Sequence, residues 1–130
     1  MAYLIDTGIA IDLRDRRDIV VNALEQLPML PSFSVLAVIE LEGGIYSKPE
    51  LVGARREGLT RLIELLTVID LTTAIADAYG HIIKRHKFSR RKIIDRIIAA
   101  TAIVHGLTLI TSNGADFSDI DGLDLLVWPA

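Results

Sequence analysis

Short apolar runs alternate along this chain with longer stretches of helical period, and most runs end on a polar or turn-forming residue. Tyr3-Leu4-Ile5-Asp6 reads as a buried strand, and residues 9–26 read as one or two helices interrupted at Arg14-Asp15-Arg16-Arg17-Asp18. Pro28 and Pro31 end helical structure. Phe33-Ser34 begins as strand, with Ser34 placed to cap a helix from about Val35 to Tyr46. Ser47-Lys48-Pro49-Glu50 has the form of a capping box, which predicts a helix from Pro49 to about Leu66 with Val52, Leu59, Leu62, Ile63 and Leu66 inward. Thr67-Val68-Ile69-Asp70 predicts a short strand. Thr72 or Thr73 then caps a helix with Ile75, Tyr79, Ile82 and Ile83 on one face. A further helix covers Lys92 to His105 and stops at Gly106. Leu107 to Ile110 is a strand, Thr111 to Gly122 a turn-rich loop, and Leu123 to Val127 the last strand. Short apolar strands alternating with helices predict a three-layer α/β fold, a parallel sheet of about five strands flanked by helices.

Composition narrows the class. A chain of 130 residues, 51% of them apolar, suffices for one domain spanning 1–130 with a sizeable core. The apolar excess is Ile, Leu, Val and Ala rather than aromatic, so part of it is expected in a subunit interface, as in a homo-oligomer. No run approaches the roughly 20 apolar residues of a membrane span, and Met1-Ala2-Tyr3 enters a strand without a basic leader. A cytoplasmic protein with no membrane partner is expected. The chain has no cysteine, which excludes disulfides and thiolate metal sites. Any metal must be held by oxygen or histidine.

The net charge of -3 argues against a nucleic-acid binder until the charges are located. Of 14 Lys and Arg residues, seven lie in one short run: Lys84, Arg85, Lys87, Arg90, Arg91, Lys92 and Arg96, with Asp95 the single acid among them. Such a run is either a solvated helix end or a strip that tracks phosphates, and the second needs no overall positive charge.

Acids stand alone in apolar or turn-like surroundings at Asp6, Glu40, Asp95 and Asp116. Ligands of open parallel sheets bind beyond the carboxyl ends of the strands. Asp6 sits at such an end, Asn113 and Asp116 leave from the same edge after Ile110, and Asp95 lies in the first turn of its helix. Helical periodicity puts Glu40 beside Ala37, Gly43 and Gly44, and Glu42 beside Val35, Val38 and Ile39. It does not choose between the two glutamates. Singly, each acid has an ordinary role: a cap for Asp6, a dipole partner bridged to Arg91 or Arg96 for Asp95, an Asx turn for Asp116. Jointly they conflict, because two carboxylates about 4 Å apart repel by roughly 4 kcal/mol at an effective dielectric of 20. Divalent cations relieve that, and Mg²⁺ or Mn²⁺ on carboxylates suits phosphoryl chemistry.

Four segments in order resemble one family: Leu4-Ile5-Asp6-Thr7, Ser34 to Gly43, Asp95-Arg96-Ile97-Ile98-Ala99-Ala100-Thr101-Ala102, and Thr111-Ser112-Asn113-Gly114-Ala115-Asp116-Phe117. Together they are similar to PIN domains, and most of all to the VapC toxins of bacterial toxin–antitoxin pairs, from Tyr3 to Trp128. The resemblance places the first three acids on Asp6, Glu40 and Asp95. It places the fourth on Asp116, since Asn113 is an amide that could orient a metal-bound water. Thr7, Thr111 and Asn113 flank these acids as supporting residues. Gly8 departs from the Asn common after Asp-Thr in such toxins. Implied are a Mg²⁺- or Mn²⁺-dependent endoribonuclease with Asp6, Glu40, Asp95 and Asp116 as both catalytic and metal-binding, a homodimer, and a VapB-type antitoxin that blocks the acidic site. Arg90, Arg91 and Lys92 would contact phosphates of the RNA substrate.

Three other readings compete. Ile5-Asp6-Thr7-Gly8 resembles the catalytic turn of retroviral-type aspartic proteases, but that fold is nearly all strand and this chain has long helical periods. A receiver-type signalling domain also holds Mg²⁺ on clustered acids. Receivers pair acids after the first strand and place a lysine after the last; here one acid follows Ile5 and no lysine follows Lys92. The third is a PIN fold kept as an acidic regulatory module without nuclease activity.

Overall fold

Five strands of three or four residues form one parallel sheet in the order β3-β2-β1-β4-β5, where β1 is Tyr3–Ile5, β2 Ser32–Ser34, β3 Thr67–Ile69, β4 Thr108–Thr111 and β5 Asp124–Val127. The computed structural model describes residues 2–129; Met1 and Ala130, the ends of the expected domain, lie outside the described residues. Leu4 stands level with Ser32 on one side and Leu109 on the other, and Ile5 with Phe33 and Ile110. A central strand covered on both faces must be apolar at successive positions. Leu4 and Ile5 are both fully buried.

The alternation of side chains splits the core into two layers. Ile5, Phe33 and Ile110 pack under α1 (Thr7–Arg14), α2 (Asp18–Glu25), α3 (Val35–Ile45) and α4 (Val52–Leu65), against Ile9, Leu13, Leu41 and Leu59. Leu4 and Leu109 face the other way, onto α5 (Thr73–His86) and α6 (Ile93–His105), against Ile75, Ile82, Ile98 and Phe117. This is the expected three-layer fold. Successive connections run outward from β1 to β3 and then return past it to β4, so the strand order reverses between β1 and β4. Open sheets of this kind bind ligands at that switch point.

Local signals account for the starts of α1, α3 and α5 and for the end of α6. Asp6 accepts from the Ile9 amide at 2.9 Å, Ser34 from Leu36 at 3.0 Å and Thr72 from Ile75 at 3.3 Å, each capping the helix that follows. Gly106 closes α6 with φ of 63°, a left-handed conformation that glycine adopts without a steric penalty. The charged break after Arg14 is real and turns on Arg16, with φ of 56°. Two expectations fail. The capping box at Ser47 does not form: its hydroxyl donates to the Gly44 carbonyl at 3.0 Å, accepts from Arg55, and leaves Pro49–Leu51 as a single 3-10 turn before α4. Ile63 also faces solvent at 42% exposure, while Leu59, Leu62 and Leu66 are buried, because α4 presents only a narrow stripe to the sheet.

Gly58 is a packing requirement. A Cβ there would lie 2.6 Å from the Arg14 carbonyl oxygen, so the end of α1 rests directly on the α4 backbone. Among the described residues, no helix is long and apolar enough to cross a membrane.

Candidate active site

The two central strands end in the two groups that anchor the site. Asp6 follows β1 and is 8% exposed; Thr111 ends β4 and is fully buried. Thr111 Oγ1 donates to Asp6 Oδ2 at 2.6 Å, and the Ile9 amide donates to Asp6 Oδ1 at 2.9 Å, so both carboxyl oxygens are oriented. Thr111 Oγ1 in turn accepts from the Asn113 amide at 3.0 Å. Burial pushes the Asp6 carboxyl above its ordinary range, against the pull of the Thr111 and Ile9 hydrogen bonds, and the charges of Asp12 and Asp116 push the same way.

Packing gives the two glutamates of α3 different partners. Glu40 accepts from Thr7 Oγ1 at 2.6 Å, one residue beyond Asp6. Glu42 is drawn instead to α4, where Arg56 grips it through two bonds of 2.8 Å and holds its carboxyl below the usual range. The ordinary ion-pair role thus falls to Glu42, leaving Glu40 at the Asp6 corner.

Asp95 is half-buried in the first turn of α6. Burial is the largest cause that raises its carboxyl, followed by the charges of Asp116, Asp6 and Glu40; Lys92 alone pulls the other way. The four acids therefore share one electrostatic environment. None of them is in an ion pair among the described residues, and the local bridges from Asp95 to Arg91 or Arg96 do not form. Asn113 Nδ2 donates to Asp116 Oδ2 at 2.6 Å, so Asn113 positions the fourth acid. Among the described residues no three acidic or imidazole groups are drawn together tightly enough to enclose a cation. Glu40 and Asp116 are instead turned to neutral partners, Thr7 and Asn113. The donor set is nonetheless one that suits a hard cation: oxygen ligands, like-charged, with no thiolate in the chain.

The basic run divides. Arg85 pairs with Asp121 at 3.0 Å, and His86 lies 3.6 Å from Asp119, tying α5 to the loop after β4. Arg90 and Arg91 are exposed and Lys92 is half-buried, on a 3-10 turn that leads into α6. Arg96 does not belong to the exposed strip. It is 6% exposed and donates from Nη1 to the Lys87 carbonyl at 2.7 Å. Lys87 has φ of 66° and ψ of 159°, a region almost reserved for glycine that costs on the order of 1–3 kcal/mol. Sequence reasoning placed both residues in the basic strip and missed the bond between them. The available signal was an arginine on the apolar face of α6 that also holds Ala99, Ala100 and Ile103.

The chain is similar to known proteins over nearly its whole length. Ribonuclease VapC2 of Rickettsia felis is 27% identical to the chain over 135 positions covering 98% of both. The crystal structure of VapBC2 from Rickettsia felis, bound to a DNA fragment from their promoter, superposes with a TM-score of 0.85 at 25% identity, over 98% of this chain and 99% of that one. A toxin–antitoxin complex from Klebsiella pneumoniae gives a TM-score of 0.76 at 29% identity, over 99% of this chain and all of the other. The PIN domain family matches residues 3–123, a span that contains β1, α3, α6 and the loop after β4 and hence all four acids, and the chain belongs to that family.

Proposed function

We propose that the chain is a metal-dependent endoribonuclease, the VapC-type toxin of a toxin–antitoxin pair. The observation that carries this reading is the gathering of four acids with no cationic bond partner among the described residues, felt at Asp95, whose carboxyl is raised first by burial and then by the charges of Asp116, Asp6 and Glu40. Four unbalanced acids at the switch point of a parallel sheet are costly unless a cation is bound or protons are taken up.

Asp6, Glu40, Asp95 and Asp116 would hold Mg²⁺ or Mn²⁺. The ion supplies Lewis-acid chemistry, polarising a phosphoryl oxygen and making water a better nucleophile. Thr111 and the Ile9 amide keep Asp6 in one orientation, and Thr7 and Asn113 do the same for Glu40 and Asp116. Asp6 and Asp95, both raised by burial, would be favoured as carboxylates by a cation bound between them. Arg90, Arg91 and Lys92 would neutralise phosphates beside the acids, where the acids themselves repel the backbone.

The relatives bear on the partners. The Klebsiella structure is of a toxin–antitoxin complex and the Rickettsia structure is of VapBC2 bound to a promoter fragment, and by extension this chain would bind a VapB-type antitoxin that covers the acidic edge. A homodimer would cover part of its exposed apolar surface, which includes Ile39, Tyr46 and Leu71. The reading is tested by incubating the purified chain and Asp95→Asn with total RNA in Mg²⁺ or Mn²⁺ and with a chelator. Cleavage by the native chain only, and only with metal, is expected. Equal cleavage by both proteins, or none by either, would overturn the nuclease assignment.

A further inference from the structure

Phe88 is the most exposed phenylalanine of the chain, at 62%, and it stands inside the basic run between Lys87 and Arg90. A large apolar ring in water has a cost that a core position would remove, and the other two phenylalanines, Phe33 and Phe117, are buried. Three features fix the backbone of the segment that carries it. Arg96, buried in α6, ties the carbonyl of the preceding residue, Lys87. Lys87 is held in a backbone conformation that side chains rarely adopt. The segment then continues through Arg90–Lys92 into α6, whose first turn carries Asp95. An aromatic ring flanked by cations, on the segment that leads into the helix carrying Asp95, has the chemistry of a single-strand platform: cations follow the backbone and the ring stacks on a base.

We infer that Phe88 stacks on a base of single-stranded RNA lying along the Lys87–Lys92 segment, and that Arg96 is the positioning residue that holds this segment in place. The inference rests on the nuclease reading for its substrate. Arg96 and Asp95 are adjacent in α6, so the residue that ties the Lys87 carbonyl and the residue proposed to hold the metal are carried by the same helix. Stacking is tolerant of base identity, so the ring would contribute affinity and register rather than strict sequence choice.

The test uses the whole chain and a random-sequence single-stranded RNA pool. Phe88→Ala should raise KM by roughly tenfold with kcat within about twofold, and Phe88→Tyr should stay near native because the stacking face is kept. Arg96→Met should raise KM in the same way; a merely structural role would lower the active fraction and kcat and leave KM alone. Stacking is also read without catalysis. In an Asp95→Asn background, RNA should quench the added emission of Phe88→Trp above that of the buried Trp128. Absent quenching, or an unchanged KM in Phe88→Ala, overturns the inference, and so does a changed oligomeric state with KM intact, which would mark Phe88 as a protein contact. Quenching without any cleavage by the native chain would leave the stacking site standing and remove the nuclease reading alone.

Discussion

Thr111 Oγ1 donates to Asp6 Oδ2 at 2.6 Å, joining the ends of β4 and β1 across 105 residues of sequence. Thr111→Val keeps the branched shape and removes this donor. Hydrogen bonds to charged groups contribute about 1.5–3 kcal/mol, so a loss of that order is expected in urea denaturation at neutral pH. The sign with pH follows from ionisation. Thr111 is the largest influence holding the Asp6 carboxyl down, and without it that carboxyl rises further. The deficit should therefore be largest where Asp6 is ionised and should shrink as pH falls through its folded-state value. A pH-independent deficit would mean that Thr111 acts by packing alone.

Asp95→Asn should separate stability from chemistry. The native Asp95 carboxyl is raised by burial and by three acidic neighbours, so folding favours its protonated form. Its ionisation thus destabilises the fold above the raised value, and that cost disappears as pH falls below the unfolded value. The metal-free variant should melt higher than the native chain at neutral pH, and the difference should vanish in acid. RNA cleavage should fall by more than the roughly 10- to 100-fold typical of outer-shell partners of a metal site. Thermal melts across pH, paired with cleavage assays, check both halves; a variant that melts lower at neutral pH would point to an N-terminal dipole role for Asp95.

Replacing Arg90, Arg91 and Lys92 with neutral residues should weaken RNA binding for all sequences alike. The slope of log affinity against log salt should flatten by about 0.7 for each phosphate of a single strand that is no longer neutralised. Arg85, already paired with Asp121 at 3.0 Å, should contribute less when replaced. Fluorescence titrations at several salt concentrations distinguish the two, and an unchanged slope in the triple variant would return the strip to a solvated helix end.

Gly58→Ala tests the packing of α1 on α4 away from the acids. The new Cβ would meet the Arg14 carbonyl oxygen at 2.6 Å and Arg14 Cγ at 2.7 Å, and backbone cannot yield as a flexible side chain does. A loss of about 1–3 kcal/mol is expected despite the better helix propensity of alanine. Denaturant midpoints measure it, and a gain in stability would show that α1 can shift freely.

The alternation of short apolar runs with helical periods determined the parallel three-layer fold, because strands covered on both faces must be apolar at every position and helices on one stripe only. It also marked Asp6 and Ser34 as helix caps, since a cap depends on atoms within three residues of itself. The partners of Glu40 and Glu42 lay beyond it. Both point outward from α3, and only the placement of Thr7 on one side and Arg56 on the other separates a free acid from an ion-paired one. Arg96 shows the same limit among the basic residues: equal in charge to Arg90 and Arg91, it is buried because α6 turns that face toward the Lys87 carbonyl. Even a well-formed local signal gave way at Ser47, whose hydroxyl found Gly44 and Arg55 instead of capping the next helix. Short-range hydrogen bonding and burial period are written in neighbouring residues, whereas the partner of a long charged side chain depends on which elements the fold brings within its reach.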